Sequence, residues 1–335
     1  MAKQQRVARK WKDLTFVANG SDTVDLPLGS DLETIQLYLA GSINVTTAYG
    51  AIRSEGISSL IRRVELIVDG KTIVSLPFTV ISHGNFMRPW PVVKVNPGIA
   101  IGNYTTPEVC GFIDLAHVDG LRPKDSNLRT AGKGQVQLRI IWGALSDMYA
   151  GAGAATVALS LQVAIRETRE YADELGGAFA PPFLHIQKMA EKSYPTNQQD
   201  RIPLDSGVVY RGLLIRAESS GDPSGGVLTN IKVIVGNEEI FNMPTSMLTD
   251  ANLTDNGVQL PLGYYVVDFA PTPNKSSKIS DCLDLTGRND AFLVMDVVGG
   301  ASNRVQIISH QFEALTGAVI NNTEHRARRK AAGLD

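Results

Sequence analysis

The 335-residue chain has only two cysteines, Cys110 and Cys282, too few for a disulfide framework or a zinc site on their own. Both are expected to sit in cores as small apolar side chains. Aromatic residues make up 7% of the sequence, with tryptophan only at Trp11, Trp90 and Trp142. That leaves little for the exposed aromatic loops of a glycan binder. Apolar stretches are interrupted, by Arg139, Gln162 and Arg166 among others, before they reach the roughly 18–20 residues of a membrane-spanning helix. Charge of one sign is also lacking: 32 basic against 34 acidic side chains leave −2, which argues against a surface given over to nucleic acid. The opening Met-Ala-Lys-Gln-Gln-Arg has no apolar stretch behind its charges, so no secretory signal is expected. The chain reads as a soluble protein made in the cytoplasm.

Catalytic patterns are missing as well. His83, His117, His185, His310 and His325 are dispersed, with no HxH or HExxH pair, so the clustered ligands of a double cupin are not there. No GxSxG or Walker A loop occurs, and Gly151-Ala-Gly153-Ala-Ala lacks the third glycine of a dinucleotide loop. Asp250 and Asp255 are carboxylates of the type that calcium takes from loops, but without EF-hand spacing. No cofactor is therefore expected, a structural calcium ion has no motif behind it, and the chain is not read as an enzyme.

What is present is strand signal. Thr34–Leu39, Gln135–Ile140 and Thr156–Val163 alternate polar and apolar residues, the period of a half-buried strand. Asp69-Gly70 separates two β-rich runs, Arg63–Val68 and Lys71–Leu76, as a tight hairpin turn would. Thirty-one glycines and 16 prolines punctuate the sequence. Helix is scarce; the one candidate runs from Pro182 to Lys192, opened by proline and followed by Pro195.

Self-comparison shows a repeat. Residues 61–86 align without gaps onto 228–253, placing Ile73 on Ile240, Pro77 on Pro244 and Asn85 on Asn252. Upstream, Leu26-Pro27-Leu28 matches Ile202-Pro203-Leu204. Downstream, Phe112-Ile-Asp114-Leu-Ala116 matches Val266-Val-Asp268-Phe-Ala270, and the two aspartates are read as strand-end residues rather than an acid and a base. Each unit has the size of one β-sandwich, and the long connections suit Greek-key crossings. The expected fold is all-β: two tandem eight-stranded jelly rolls with few short helices. The expected division is a basic arm at 1–13, a first jelly roll at 14–172, a linker with a short helix at 173–199, a second jelly roll at 200–317 and a basic tail at 318–335.

Charge follows that division. The first 13 residues hold Lys3, Arg6, Arg9, Lys10 and Lys12 against Asp13, and the last 12 hold Arg326, Arg328, Arg329 and Lys330 against Glu324 and Asp335. The body between is acidic. Val7, Trp11 and Leu14 recur at i, i+4 and i+7, so a helical arm would have an apolar edge with a basic surround, suited to an anionic membrane surface. On that reading, removing residues 1–13 costs membrane binding and leaves the oligomer intact. A disordered arm or a subunit-clamping strand is the competing reading. The tail at Arg326–Lys330 is equally suited to a neighbouring subunit or the particle interior.

Leu26-Pro27-Leu28, Ile61-Arg-Arg-Val-Glu-Leu-Ile-Val-Asp-Gly70 and Gln135-Val-Gln-Leu-Arg-Ile-Ile-Trp-Gly143, in this order within a duplicated chain, resemble the double jelly-roll major capsid proteins. These coat tailless icosahedral viruses with an internal membrane, such as corticoviruses and tectiviruses. The resemblance covers about residues 14–317. It implies a structural virion protein that forms pseudo-hexagonal homotrimers, tiles an icosahedral shell and meets neighbouring capsomers, penton and minor capsid proteins. It further implies an inner membrane surface beneath the N-terminal arm, contacted by Lys3, Arg6, Arg9, Lys10, Trp11 and Lys12, and no sequence-specific nucleic-acid partner. The alternatives are a tandem sandwich that binds glycan or forms a virion spike, and a glycan amidase on the same scaffold.

Overall fold

The computed structural model describes residues 5–48, 52–83, 101–104, 107–116, 126–169, 183–256, 260–270 and 282–314. The first half carries β1 (Gln5–Thr15), β2 (Ser21–Asp25), β3 (Asp31–Ala48), β4 (Ile61–Val68), β5 (Lys71–Leu76), α1 (Phe78–His83), β6 (Gly102–Tyr104), β7 (Glu108–Asp114), β8 (Leu128–Arg129), β9 (Val136–Trp142) and β10 (Gly153–Arg169). The second half repeats the series as β11 (Phe183–Ser193), β12 (Gln198–Pro203), β13 (Val209–Ser219), β14 (Asp222–Pro223), β15 (Leu228–Val235), β16 (Glu238–Pro244), α2 (Thr245–Asn256), β17 (Tyr264–Asp268), β18 (Leu283–Asp284), β19 (Ala291–Val297) and β20 (Asn303–Ala314).

Each half is a sandwich of two four-stranded sheets. In the first, β1-β10-β3-β7 faces β2-β9-β4-β5; in the second, β11-β20-β13-β17 faces β12-β19-β15-β16. The short strands β6, β8, β14 and β18 add to the long third strand of their own half. This is jelly-roll order twice over, so the chain is a double jelly roll. The duplication reaches individual irregularities. The register between β10 and β3 shifts between Arg166 and Glu167, and the register between β20 and β13 shifts between Tyr210 and Gly212. The extra residues, Glu33 and Arg211, are both buried charges.

Sequence chemistry accounts for the hairpins. Asp69 and Gly70 take φ values of 47° and 81°, both left-handed, as the two-residue turn between β4 and β5 requires. In the matching turn only Gly236 does so, at 64°. The cores are the inward faces of these strands. Leu37, Leu66, Leu138 and Leu161 fill the first, and Leu213, Val233, Leu293 and Val305 the second. Cys110 and Cys282 are buried thiols outside any disulfide, as their sequence context suggests.

Two expectations fail, at corresponding places. The helix expected over Pro182–Lys192 is β11, the first strand of the second sandwich, and the helical N-terminal arm is β1, the first strand of the first. Pairing outweighs local pattern in both: β1 lies along β10 from Gln5 to Thr15, and β11 lies along β20 from Phe183 to Ser193. The segment 170–182 and the tail after 314 lie outside the described residues.

Candidate functional site

The residues singled out from sequence divide into three groups. Lys3, Arg326, Arg328, Arg329 and Lys330 lie outside the described residues. Arg6, Arg9 and Trp11 belong to the sandwich itself. Arg6 donates from Nε to Glu33 at 3.0 Å, and Arg9 pairs with Glu167 at 3.0 Å, both carboxylates being buried. Trp11 packs partly against the first core and donates from Nε1 to the Asp25 carbonyl at 2.8 Å, with the Arg9 guanidinium 4.6 Å above its ring. Lys10 and Lys12 remain exposed, Lys10 paired with Asp13 at 2.7 Å on the surface. Asp250 and Asp255 fall on α2 rather than in a loop.

Asp114 and Asp268 end β7 and β17, as expected from their alignment. Thr34 donates to the Asp114 carboxylate at 3.1 Å, while Asp268 holds the buried Arg211 guanidinium and accepts from the Ala270 amide at 2.9 Å. Two dispersed histidines come together: the His185 and His310 rings lie 5.5 Å apart, with the Phe312 ring 5.0 Å from His185 and tilted 35° to it. Nδ1 of His185 lies 2.9 Å from the Asp114 carbonyl oxygen. Burial holds His185 down at about 4, and burial beside His185 and Arg211 holds His310 well below the ordinary histidine value. Among the described residues no group of three or more His, Cys, Asp and Glu is placed to hold a metal ion.

The most heavily built polar site joins the two sandwiches. β5 meets β11 in parallel through Val74 and Gln187, merging two sheets into one of ten strands. Beside this bridge, Glu55 precedes a 3-10 turn at Gly56–Leu60 and reaches Arg216 of β13 at 2.9 and 2.5 Å. Arg216 also binds Glu218 and donates to Gln306 at 3.2 Å, and the Tyr264 hydroxyl donates to Glu55. All five are buried. Burial would lower the Arg216 pKa, but Tyr264, Glu55 and Glu218 together raise it; burial and Glu55 push that of Tyr264 well above the ordinary tyrosine value. Around the polar centre, Leu214, Tyr264, Val266 and Ile308 of the second half pack into the first core cluster. At the rim, Lys71 pairs with Glu313 at 2.7 Å and Arg53 with Asp222 at 3.3 Å. Nothing here polarises a bond or presents a nucleophile; the arrangement fixes two sandwiches against each other. Sequence reading passed over Glu55, Arg211 and Arg216. The available signal was two arginines inside the otherwise apolar run Val209–Ala217, since a buried cation requires a partner.

No family model and no curated protein sequence matches the chain. Solved structures do. The major capsid protein of Sulfolobus turreted icosahedral virus matches with a TM-score of 0.75 at 17% identity, over 94% of this chain and 100% of that one. The major capsid protein P2 of bacteriophage PM2 matches at 0.63 and 13% identity, over 94% and 99%. The capsid protein of the virus PBCV-1 matches at 0.59 and 12% identity, over 92% and 94%. The chain is thus similar in fold, over nearly its whole length, to the double jelly-roll major capsid proteins of icosahedral viruses.

Proposed function

We propose that this chain is a structural coat subunit, assembled as homotrimers that tile an icosahedral shell around an internal membrane. The observation that carries the reading is full-length similarity, with both chains covered almost end to end, to several viral major capsid proteins. Duplication supports the trimer. Two similar sandwiches in each of three chains give six similar sides, which fit the hexagonal positions of a shell. Neighbouring capsomers and the penton and minor capsid proteins would meet this block at its sides.

Contact with an anionic inner surface falls to the basic termini. Arg6 and Arg9 already neutralise buried Glu33 and Glu167, so the cations left for this role are the exposed Lys12 together with Lys3, Arg326, Arg328, Arg329 and Lys330. At about 1 kcal/mol per basic residue near such a membrane, one chain binds weakly and a shell of trimers binds well. Native mass spectrometry of the purified chain is expected to give three copies of the 36.1 kDa subunit; a monomer at micromolar concentration contradicts the coat reading. Trimming residues 1–4 and 318–335 with Lys12→Gln is expected to keep the three-copy assembly and lose binding to anionic liposomes. Unchanged liposome binding removes the membrane role.

A further inference from the structure

We infer that the open side of the second sandwich, between β11 and β12, is a binding site for a small flat aromatic molecule with an N–H donor, of the indole class. Every residue of this site belongs to one sandwich of one chain, so it exists whether or not chains assemble.

The site is a slot of about 210 Å³ between the edges of the two facing sheets. Lys188, Ala190 and Lys192 of β11 pair with Ser309, Ile307 and Val305 of β20 without a break in register, so all three lie on the face toward the second core. The two lysines cross the gap. Lys192 reaches Asp200 of β12 at 2.7 Å, and Lys188 reaches Asp205, just beyond β12, at 3.2 Å. Ala190 between them has only a methyl group to offer, and it is exposed although it faces inward. The slot therefore opens between two ion pairs. Ile202, Pro203 and Leu204 form its far wall, and Leu213, Leu293 and Ile307 of the second core its floor. Gln311 also lines it. Its Nε2 donates to Asp205 and to the Tyr210 hydroxyl at 2.9 Å each, while its Oε1 is buried with no hydrogen-bond partner. Apolar walls with a few placed polar groups are the make-up of a small-molecule site.

The first sandwich shows what such a slot takes. Pairing followed outward from the matched Asp114 and Asp268 leads through Thr34 and Arg166 to Ala8, and through Gly212 and His310 to Gln187. Arg9 thus stands where Lys188 does, and Trp11 is an extra residue of β1 between the counterparts of Met189 and Ala190. On the opposite edge, Val136 and Ala291 are the partners of the matched Val68 and Val235. Val136 accepts from the Leu26 amide at 2.8 Å and Ala291 from the Leu204 amide at 2.9 Å. Pro203 therefore stands where Asp25 does, two places along from the match of the sequences.

In the first sandwich the gap is crossed by an indole. Trp11 packs against the core and donates from Nε1 to the Asp25 carbonyl at 2.8 Å, with the Arg9 guanidinium 4.6 Å from its ring centre. β11 has no such residue. The second slot keeps the groups that would hold the ring, the Pro203 carbonyl for that of Asp25 and the Lys188 ammonium for the Arg9 guanidinium, and lacks the ring. An apolar cavity of about 150 Å³ takes benzene, so the larger slot suits a bicyclic molecule.

Calorimetric titration of the full chain with indole tests the site. Saturable binding of one indole per chain is expected, with methyl NMR signals of Ile202, Leu204 and Leu293 moving as indole is added. Benzofuran has the same shape without the N–H and is expected to bind at least fivefold more weakly. Ala190→Trp returns a ring to the slot and is expected to lose at least tenfold in affinity, with a melting temperature equal to the parent's or higher. Ala190→Met, a smaller filling that asks less of the fold, is expected to weaken binding at least threefold. No saturable binding, or binding that a folded Ala190 variant leaves unchanged, overturns the site. Benzofuran binding as tightly as indole overturns the role of the Pro203 carbonyl.

Discussion

The two ends of the repeat make a controlled comparison inside one molecule. At the joint, β5 meets β11 beside a centre of buried charge, and every residue of α1, the helix that follows β5, is buried from Phe78 to Ser82. At the far side, β16 and α2 have the same topology, the same register irregularity (Leu66/Ile67 matching Val233/Ile234) and an open surface. Fold is therefore indifferent to whether this face is covered, and only side-chain choice records it. The joint carries Glu55 and Arg216, which suit permanent burial. The open face carries Ile240, Met247 and Leu253 among Glu238, Glu239 and Asp250, a composition that tolerates water and can also be covered.

The largest effect expected from breaking this comparison is removal of residues 1–13. Because β1 is a strand of the first sandwich rather than an arm, the truncated chain is expected to lose the cooperative unfolding transition of that sandwich in calorimetry, rather than to stay intact without membrane binding. Next comes the buried charge. Glu55→Ala leaves Arg216 without its main partner across the joint, and truncating one member of such a pair is expected to cost about 3–5 kcal/mol in chemical denaturation. The matched isoleucines, Ile73 at 1% exposed and Ile240 at 40%, sharpen the comparison further. Ile73→Ala is expected to cost about 2–5 kcal/mol, whereas Ile240→Ala in the monomer stays within about 1 kcal/mol, since its counterpart's cover is missing. Equal losses at both positions would contradict the assigned difference in burial.

Smallest at any pH just below neutral, and growing as the pH falls, is the acid sensitivity near the joint. His185 and His310 face each other, Arg211 and Phe312, with the Asp114 carbonyl as acceptor. Their folded pKa values lie below the unfolded value of about 6.5, so the unfolded chain binds more protons once pH falls below that value. Stability is thus full above about pH 6.5 and falls toward pH 4, where His185 itself titrates in the folded state. The expected slope is up to about 1.4 kcal/mol per pH unit for each histidine. Replacing His310 by Gln is expected to flatten the profile of melting temperature against pH between 6.5 and 4. An unchanged profile would remove the pair from that role.

Much of this was legible in the sequence, and what was missed shares a cause. Hairpin, proline and short helix are local, so residues 61–86 and 228–253 could be aligned and the double sandwich deduced. The first strand of each sandwich was not legible. In β1 the register shifts between Lys10 and Lys12, so Trp11 is the extra residue and the face of every later side chain is exchanged. Val7, Trp11 and Leu14 then fall at helical spacing although the chain is extended. In β11, His185, Ile186 and Gln187 are all buried because the strand lies between β20 and β5. Alternation vanishes there, and Pro182 makes the run look like a helix start. The site at the joint was hidden for a related reason. Glu55, Arg216 and Tyr264 are far apart in the chain, and only packing of one sandwich on the other brings them together.

The central claim is the proposed coat subunit, in which two similar sandwiches from each of three chains make a six-sided block. Electron microscopy of the purified native protein tests it most directly, through averaged views down the particle axis. A closed ring of six similar lobes contributed by three chains is predicted. Isolated two-lobed particles, or open strings of lobes, would contradict it.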